Sequence, residues 1–255
     1  MRMACAGGGP AGLYLAILLK RRDPTSEITV LERNPAGVTY GWGVVFWDDL
    51  LEGLAANDPP TATAIADQAF RWAGQRILVD GQPEAGIEGY GFSMRRQRLL
   101  DILTRRAREL GVEVRFEAEV EDLAQLEGHD LVVAADGVNS RLRRAHPGSF
   151  GTRIDTGRNR YLWLGTTKVF DAFTFAFVRT PAGWIWCHAY GFDATAAPSS
   201  SSARPRPGPG WGSGSSGWRP ASPAWRSCSP PSWTGTGWSP RGRTGSGRRG
   251  SASGR

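Results

Sequence analysis

The spacing of apolar and polar positions changes period several times along the first 192 residues. "MRMACA" is a short apolar run entering the glycine turn "GGGPAG", after which Leu13, Ala16, Ile17 and Leu18 recur at helical spacing. Lys20, Arg21 and Arg22 suit the negative end of that helix, and Pro24 stops it. "EITVLER" reads as a second strand, so the three pieces make one βαβ unit with a parallel sheet. Residues 34–92 are less regular, with "YGWGVVF" predicting a glycine-aromatic loop and "RWAGQRILVDGQ" a hairpin. "RQRLLDILTRRARELG" predicts an amphipathic helix closing on Gly111. A strand in "VEVRFEAEV" follows, then a buried strand in "HDLVVAADG" that ends in a turn. From Tyr161 to Phe192, alternating aromatic-rich runs predict antiparallel strands of a second sheet. Internal repeats are absent.

At Asp193 the pattern stops. From Ala196 to Arg255 the chain has no Leu, Ile, Val, Phe, Met, Asp, Glu or Lys, and carries nine Arg and five Trp among Gly, Ser, Pro and Ala. The whole chain has net charge +7, so removing those nine Arg leaves the preceding part at −2. The basicity belongs to the tail, which argues against a nucleic-acid surface on the folded part. Cys5, Cys187 and Cys228 are too widely spaced for a disulfide framework or a metal site, and no metal ligands are predicted. Glycines and a proline interrupt the N-terminal apolar run too early for a signal segment. No stretch approaches the roughly 20 apolar residues of a membrane span. The expectation is a cytoplasmic, soluble protein with no membrane partner.

The chemistry begins in the first turn. "GGGPAG" places Gly7, Gly9 and Gly12 as G-x-G-x-x-G between a strand and a helix. The first glycine allows the tight turn, the second lets the backbone approach a pyrophosphate, and the third lets helix and strand pack closely. The helix start adds unpaired N–H groups and partial positive charge. Glu32 lies 20 residues beyond Gly12, at the end of the next strand, where a carboxylate accepts hydrogen bonds from ribose hydroxyls. These features predict a dinucleotide site. "DLVVAADGVNSRLR" adds an apolar strand ending in Asp136-Gly137, with Ser140 and Arg143 beyond it; Asp-Gly is also simply a favoured turn dipeptide.

Together these stretches resemble the fingerprints of the FAD-dependent aromatic hydroxylases, the group A flavoprotein monooxygenases. In that family an Asp-Gly turn lies near the flavin pyrophosphate and ribityl chain, and an Arg before a helix with leucines at +3 and +7 contacts FAD. Arg96, Leu99 and Leu103 of "SMRRQRLLDIL" match, while Arg95 and Arg98 read as solvated helix-face charges. "YGWGVVFWDDLLEGLAANDPP" and "GRNRYLWLGTTKVFDAFTFAF" look like the subgroup that hydroxylates salicyloyl-CoA or 2-aminobenzoyl-CoA, with a tryptophan-hydroxylase-like flavoenzyme as a near alternative. The likeness covers residues 1–193.

The resemblance implies an α/β protein with a Rossmann-like, glutathione-reductase-like FAD-binding domain over 1–160, containing an irregular insertion at about 34–92. The first strands of a β-rich substrate domain would follow over 161–193. It implies a monooxygenase, an oxidoreductase that hydroxylates an aromatic substrate, such as an aromatic acyl-CoA, with FAD, NAD(P)H and O2. Gly7, Gly9, Ala11, Gly12, Glu32, Arg33, Gly43, Val44, Arg96, Asp136 and Gly137 are the implied cofactor contacts, with the Gly41–Val45 loop bordering the isoalloxazine. No catalytic base is identified. His188 reads as a packed strand residue, His129 and His146 as surface, and Trp163, Trp184 and Trp186 as packing residues. The oligomeric state is left open.

Residues 194–255 then read as a low-complexity, disordered tail: a linker, a basic nucleic-acid arm, or a stretch in a shifted reading frame. The genetic code favours the third. Codons for Asp193–Gly208 exist whose reading from the third base gives R-H-G-S-T-F-I-V-E-C-P-P-E-T-W, and "STFIVEC" resembles the hydroxylase family there. The third FAD fingerprint of the family, a Gly-Asp, does not occur after Gly151. A truncated, non-catalytic FAD-binding remnant therefore stands beside the enzyme reading.

Overall fold

The apolar N-terminal run forms β1 (Arg2–Ala6), buried from Met3 to Ala6. The glycine turn leads into α1 (Pro10–Arg22), with Gly9 as N-cap and Pro10 at the first helical position, where a missing N–H costs nothing. β2 (Glu27–Leu31) returns parallel to β1, pairing Met3 with Ile28 and Cys5 with Val30. The computed structural model describes residues 1–157, 160–166, 168–181, 183–192, 197–203 and 238–239.

Residues 34–92 are more regular than their sequence suggests. Val44, Val45 and Phe46 turn half of the expected glycine-aromatic loop into β3 (Gly43–Phe46). α2 (Asp48–Asn57) has Asp48 and Asp49 in its first turn, suiting the positive helix end, and α3 (Pro59–Ala66) starts on two prolines. β4 (Phe70–Val79) and β5 (Ala85–Arg95) form the hairpin. The amphipathic helix is α4 (Arg96–Glu109), which buries Ile102, Leu103 and Ala107. β6 (Glu113–Arg115) is shorter than expected.

β7 (Leu131–Ala134) pairs with β1 and closes the four-stranded parallel order β6-β2-β1-β7. It is an edge among the described residues, which is why Leu131 is exposed where the sequence suggests a buried strand. Two short helices follow, α5 (Arg141–Ala145) and α6 (Pro147–Phe150). The core of this sheet joins Met3, Cys5, Ile28 and Val30 to Leu13 and Ile17 of α1 and Leu103 and Ala107 of α4. Each of the Met, Ile, Val and Leu side chains among them contributes about 1.5–3 kcal/mol on removal from water.

β8 (Arg160–Thr166), β9 (Phe173–Thr180), β10 (Gly183–Ala189), β11 (Ala197–Ala203) and β12 (Trp238–Ser239) belong to a second sheet, in the order β12-β8-β11-β10-β9-β4-β5. β9 and β10 are antiparallel, whereas β4 runs parallel to β9. The chain divides into two compact units. The first comprises Met1–Thr39, Gly43–Ala69 and Met94–Asp155; the second comprises Tyr40–Trp42, Phe70–Ser93 and Thr156–Arg255. The hairpin, expected inside the first domain, therefore sits in the second unit.

Ala197–Ala203 also departs from expectation. It is a strand, not disordered chain, pairing Ser200 with His188 on one side and with Trp163 on the other. Neighbours supply ladder partners on both sides, and such context overrides the poor strand preference of Pro and Ser. The rest of the tail, 204–237 and 240–255, lies outside the described residues. Among the described residues, no helix is long and apolar enough to cross a membrane.

Candidate functional site

Three strand ends meet in the first unit. The Gly7 N–H donates to the Leu31 carbonyl at the end of β2, and the Ala135 N–H donates to the Ala6 carbonyl at the end of β1, both at 2.8 Å. This is the carboxyl edge of the parallel sheet at the point where strand order turns from β1 outward to β2 and to β7, the usual place for a ligand in such sheets. Gly7 has φ +116°, and a Cβ there would run into the Ala135 carbonyl. A Cβ on Gly12 would strike the Gly7 carbonyl and stand 2.9 Å from Cys5 Sγ, so the third glycine brings helix and turn together. Nothing lies within 4 Å of a Cβ built on Gly9. The turn is therefore open on the Gly9 side.

α1 has no side-chain cap and no acidic residue in its first turn. The N–H groups of Ala11 and Gly12 belong to the first turn, which has no intrahelical acceptors, and Ala11 is exposed. Glu32 follows β2 and is held from both sides. Its Oε2 accepts the Gly8 N–H at 2.8 Å, and its Oε1 accepts the Asn34 backbone N–H at 2.8 Å and Nδ2 at 2.6 Å. An ionised carboxylate has about four acceptor positions, so this arrangement leaves capacity for a ribose hydroxyl. Arg33, beside it, is exposed.

On the other flank, Asp136 Oδ2 accepts the Arg141 N–H at 2.7 Å and the Leu142 N–H at 3.4 Å, tying the turn to α5. Ser140 caps α5 by accepting the Arg143 N–H at 3.0 Å. Gly137 takes φ +86°. Asp136 Oδ1 is buried with no hydrogen-bond partner. A buried unpaired carboxylate oxygen is costly, so it marks a place for a donor from a polar ligand.

Gly43, Val44 and Arg96 are placed by other elements. Gly43 is buried and Val44 half-buried in β3, and Arg96 opens α4 with its Nε donating to Thr39 Oγ1 at 3.2 Å. Tyr40–Trp42 belongs to the second unit, where a Cβ on Gly41 would stand 2.9 Å from the Trp163 ring and one on Gly165 2.9 Å from the Trp42 ring. Arg98 is exposed, as expected of a helix-face charge, and donates to the Gln68 side chain. His129 and His146 are half-buried rather than at the surface, and Trp184, expected to pack, is exposed.

Asn34 and Thr39 were missed by sequence reasoning, which had only turn-like context for them. Asp58 was missed too, although Asp-Pro-Pro is a helix-start signal. It is fully buried, with Arg106 Nε on Oδ2 at 3.0 Å, Arg106 Nη2 on Oδ1 at 2.9 Å, Arg21 Nε at 3.2 Å and Thr61 Oγ1 at 2.5 Å. Burial works to raise its pKa, but the bonds from Arg106 and Thr61 and the two cationic charges outweigh that and hold it below the ordinary value. This network joins the last turn of α1 to α3 and α4. Cys5 beneath Gly12 is pushed up by burial to about 11, so its thiol packs and does not react. Among the described residues no cluster of His, Cys, Asp and Glu could hold a metal ion.

No protein-family model matches the chain. Among curated proteins, it is 41% identical over 191 residues to the salicyloyl-CoA 5-hydroxylase of a Streptomyces species, a match covering 74% of this chain and 37% of that protein. It is 35% identical over 190 residues to 3-hydroxy-4-methyl-anthranilyl-(aryl-carrier protein) 5-monooxygenase of Streptosporangium sibiricum, covering 74% of this chain and 53% of that one. Among solved structures, PqsL, a probable FAD-dependent monooxygenase of Pseudomonas aeruginosa, superposes with a TM-score of 0.60 at 17% identity, covering 79% of this chain and 60% of that one. The fold is thus the Rossmann-like flavoprotein fold of the FAD-dependent monooxygenases. Within that class the sequence likeness is to hydroxylases of aromatic compounds, as the motifs indicate, and the chain spans 37% and 53% of the two curated relatives.

Proposed function

We propose that this chain is the FAD-binding part of a monooxygenase that hydroxylates an aromatic acyl thioester, using NAD(P)H and O2. The observation that carries the reading is the meeting of the Gly7–Gly12 turn, Glu32 and Asp136 at one carboxyl edge, with Asp136 Oδ1 buried and unpaired. These residues fit FAD. Gly7, Gly9, Ala11 and Gly12 would take the pyrophosphate at the start of α1, and Glu32 and Arg33 the adenosine ribose. Asp136 and Gly137 would serve the ribityl side, with Arg96, Gly43 and Val44 as further cofactor contacts. Bound FAD would supply the two-electron chemistry linking NAD(P)H oxidation to oxygen transfer. The protein's own part is to bind, orient and exclude water. The names of both curated relatives give aromatic acids carried as thioesters, which supports a thioester substrate here.

The test is FAD uptake by the purified full-length chain, followed by cofactor fluorescence quenching and by thermal shift. The reading expects saturable quenching and a raised melting temperature. Both should weaken about tenfold in affinity in Glu32→Gln and Asp136→Asn, the scale of one lost charge-assisted hydrogen bond. NAD(P)H consumption stimulated by salicyloyl-CoA then tests the substrate. Absence of both quenching and thermal protection would overturn the cofactor assignment.

A further inference from the structure

Gly41 and Trp42 interlock with β8 inside the second unit. A Cβ on Gly41 would stand 2.9 Å from the Trp163 ring, and one on Gly165 would stand 2.9 Å from Cζ2 and 3.2 Å from Cε2 of Trp42. Each ring fills the space that a side chain at the opposite glycine would take, which fixes how both lie. Cε2 carries Nε1, so the edge of Trp42 laid against β8 is the one that bears its N–H. That nitrogen is buried and meets no hydrogen-bond partner among the described residues. An indole N–H can only donate, and a buried donor left unpaired is costly, so it marks a place for an acceptor.

The surroundings suit a flat ring. Alternation along β8 puts Tyr161, Trp163 and Gly165 on one face. Tyr161 stands edge-on to Trp163 at 6.5 Å between centroids and is 51% exposed. Trp163 lies opposite Ser200, Ser200 opposite His188 and His188 opposite Phe175, so that face continues into aromatic side chains of β10 and β9. A guest ring gains contact area by stacking on such a shelf but no fixed orientation within its plane, which a polar atom must set.

We propose that Trp42 Nε1 donates to the carbonyl oxygen of an aromatic acyl thioester whose ring lies on the Tyr161–Trp163 shelf. The assignment rests on the monooxygenase reading above. That carbonyl is conjugated with its ring and lies near the ring plane, so a donor beside the shelf meets it when the ring stacks. An ortho hydroxyl, as in a salicyloyl group, can occupy one lone pair of that oxygen and leaves the other for the indole. A guest with methylene in place of the carbonyl would leave the donor as unpaired as in the free protein, and the site would discriminate against it. Trp42 is therefore a specificity residue, where the sequence suggested only a glycine-aromatic loop.

The experiment is isothermal titration calorimetry of the FAD-supplemented full-length chain with salicyloyl-CoA and with its thioether, in which methylene replaces the carbonyl, beside the variants Trp42→Phe and Trp42→His. The parent should prefer the thioester by about 5- to 100-fold, the range of a buried donor paired or left unpaired. Trp42→Phe keeps an aromatic ring over Gly165 and loses the N–H. It should bind FAD as the parent does and cut the preference below about threefold, the loss falling on the thioester. Trp42→His, which keeps a ring donor, should retain part of the preference. A mere packing role would weaken both ligands alike and leave the preference intact. A parent that binds thioester and thioether alike overturns the assignment whatever the variants do, and so does a folded Trp42→Phe that discriminates like the parent. FAD uptake in either case leaves the function standing, whereas a parent that takes up no FAD overturns both.

Discussion

Replacing Asp58 by Asn removes one negative charge from the point where α1, α3 and α4 meet, and almost nothing from its volume. The amide then turns an N–H2 group toward one of two guanidinium groups, and the bidentate pairing with Arg106 is lost. Removing one partner of a fully buried pair typically costs about 3–5 kcal/mol. Here the arginine side chains are 19% and 35% exposed, so water can partly recover them, and about 2–3 kcal/mol is the expected loss. For a chain of this size that lowers the melting temperature by roughly 4–12 °C.

The pH dependence gives a sharper signature. The folded-state pKa of Asp58 is held below its unfolded value, so its contribution is complete above the unfolded value of about 3.9 and disappears as pH falls through the folded value. Urea unfolding followed by far-UV circular dichroism should show a constant gap between parent and Asp58→Asn from pH 5 to 8, narrowing below about pH 4. A gap under about 0.5 kcal/mol at pH 7, or one of equal size at pH 3, would refute the claim that the charge holds the helices together.

Two other predictions follow from close packing within each unit. Gly12→Val puts branched carbon against the Gly7 carbonyl and should cost about 1–3 kcal/mol, with loss of saturable FAD quenching; a variant that melts and binds like the parent would show the turn to be adjustable. The Cys5 and Cys187 thiols, pushed by burial to about 11 and about 12, should alkylate with iodoacetamide at pH 8 about 100-fold more slowly in folded than in urea-unfolded protein, as read by peptide mass spectrometry.

The βαβ unit was legible because each of its signals is local: an apolar run, three glycines at fixed spacing, a helical period and an acid at the next strand's end. The meeting of Asp136 with the Gly7 turn was legible only through family likeness, since 129 residues separate them. What stayed hidden depends on distant partners. α2 buries only Leu54 and leaves Leu50 exposed, so it lacks a clean apolar stripe. The hairpin belongs to the second sheet because Gln75 pairs with Phe173 and Ile77 with Phe175, a parallel match across about 100 residues that no local pattern reveals. Ala197–Ala203 looked like tail because four serines and a proline carry no strand signal, yet β8 and β10 place a strand there.

The short bonds that hold the glycine turn have a kinetic meaning. Gly7 is fastened to Leu31, Gly8 to Glu32, and Ala135 to Ala6, all by the chain's own groups at 2.8 Å. The backbone of the turn is thereby preorganised during folding, and a nucleotide bound there as proposed would spend little of its affinity on ordering it. Capture should then be governed by diffusive encounter, and differences in retention among variants of this turn should appear chiefly as differences in escape rate.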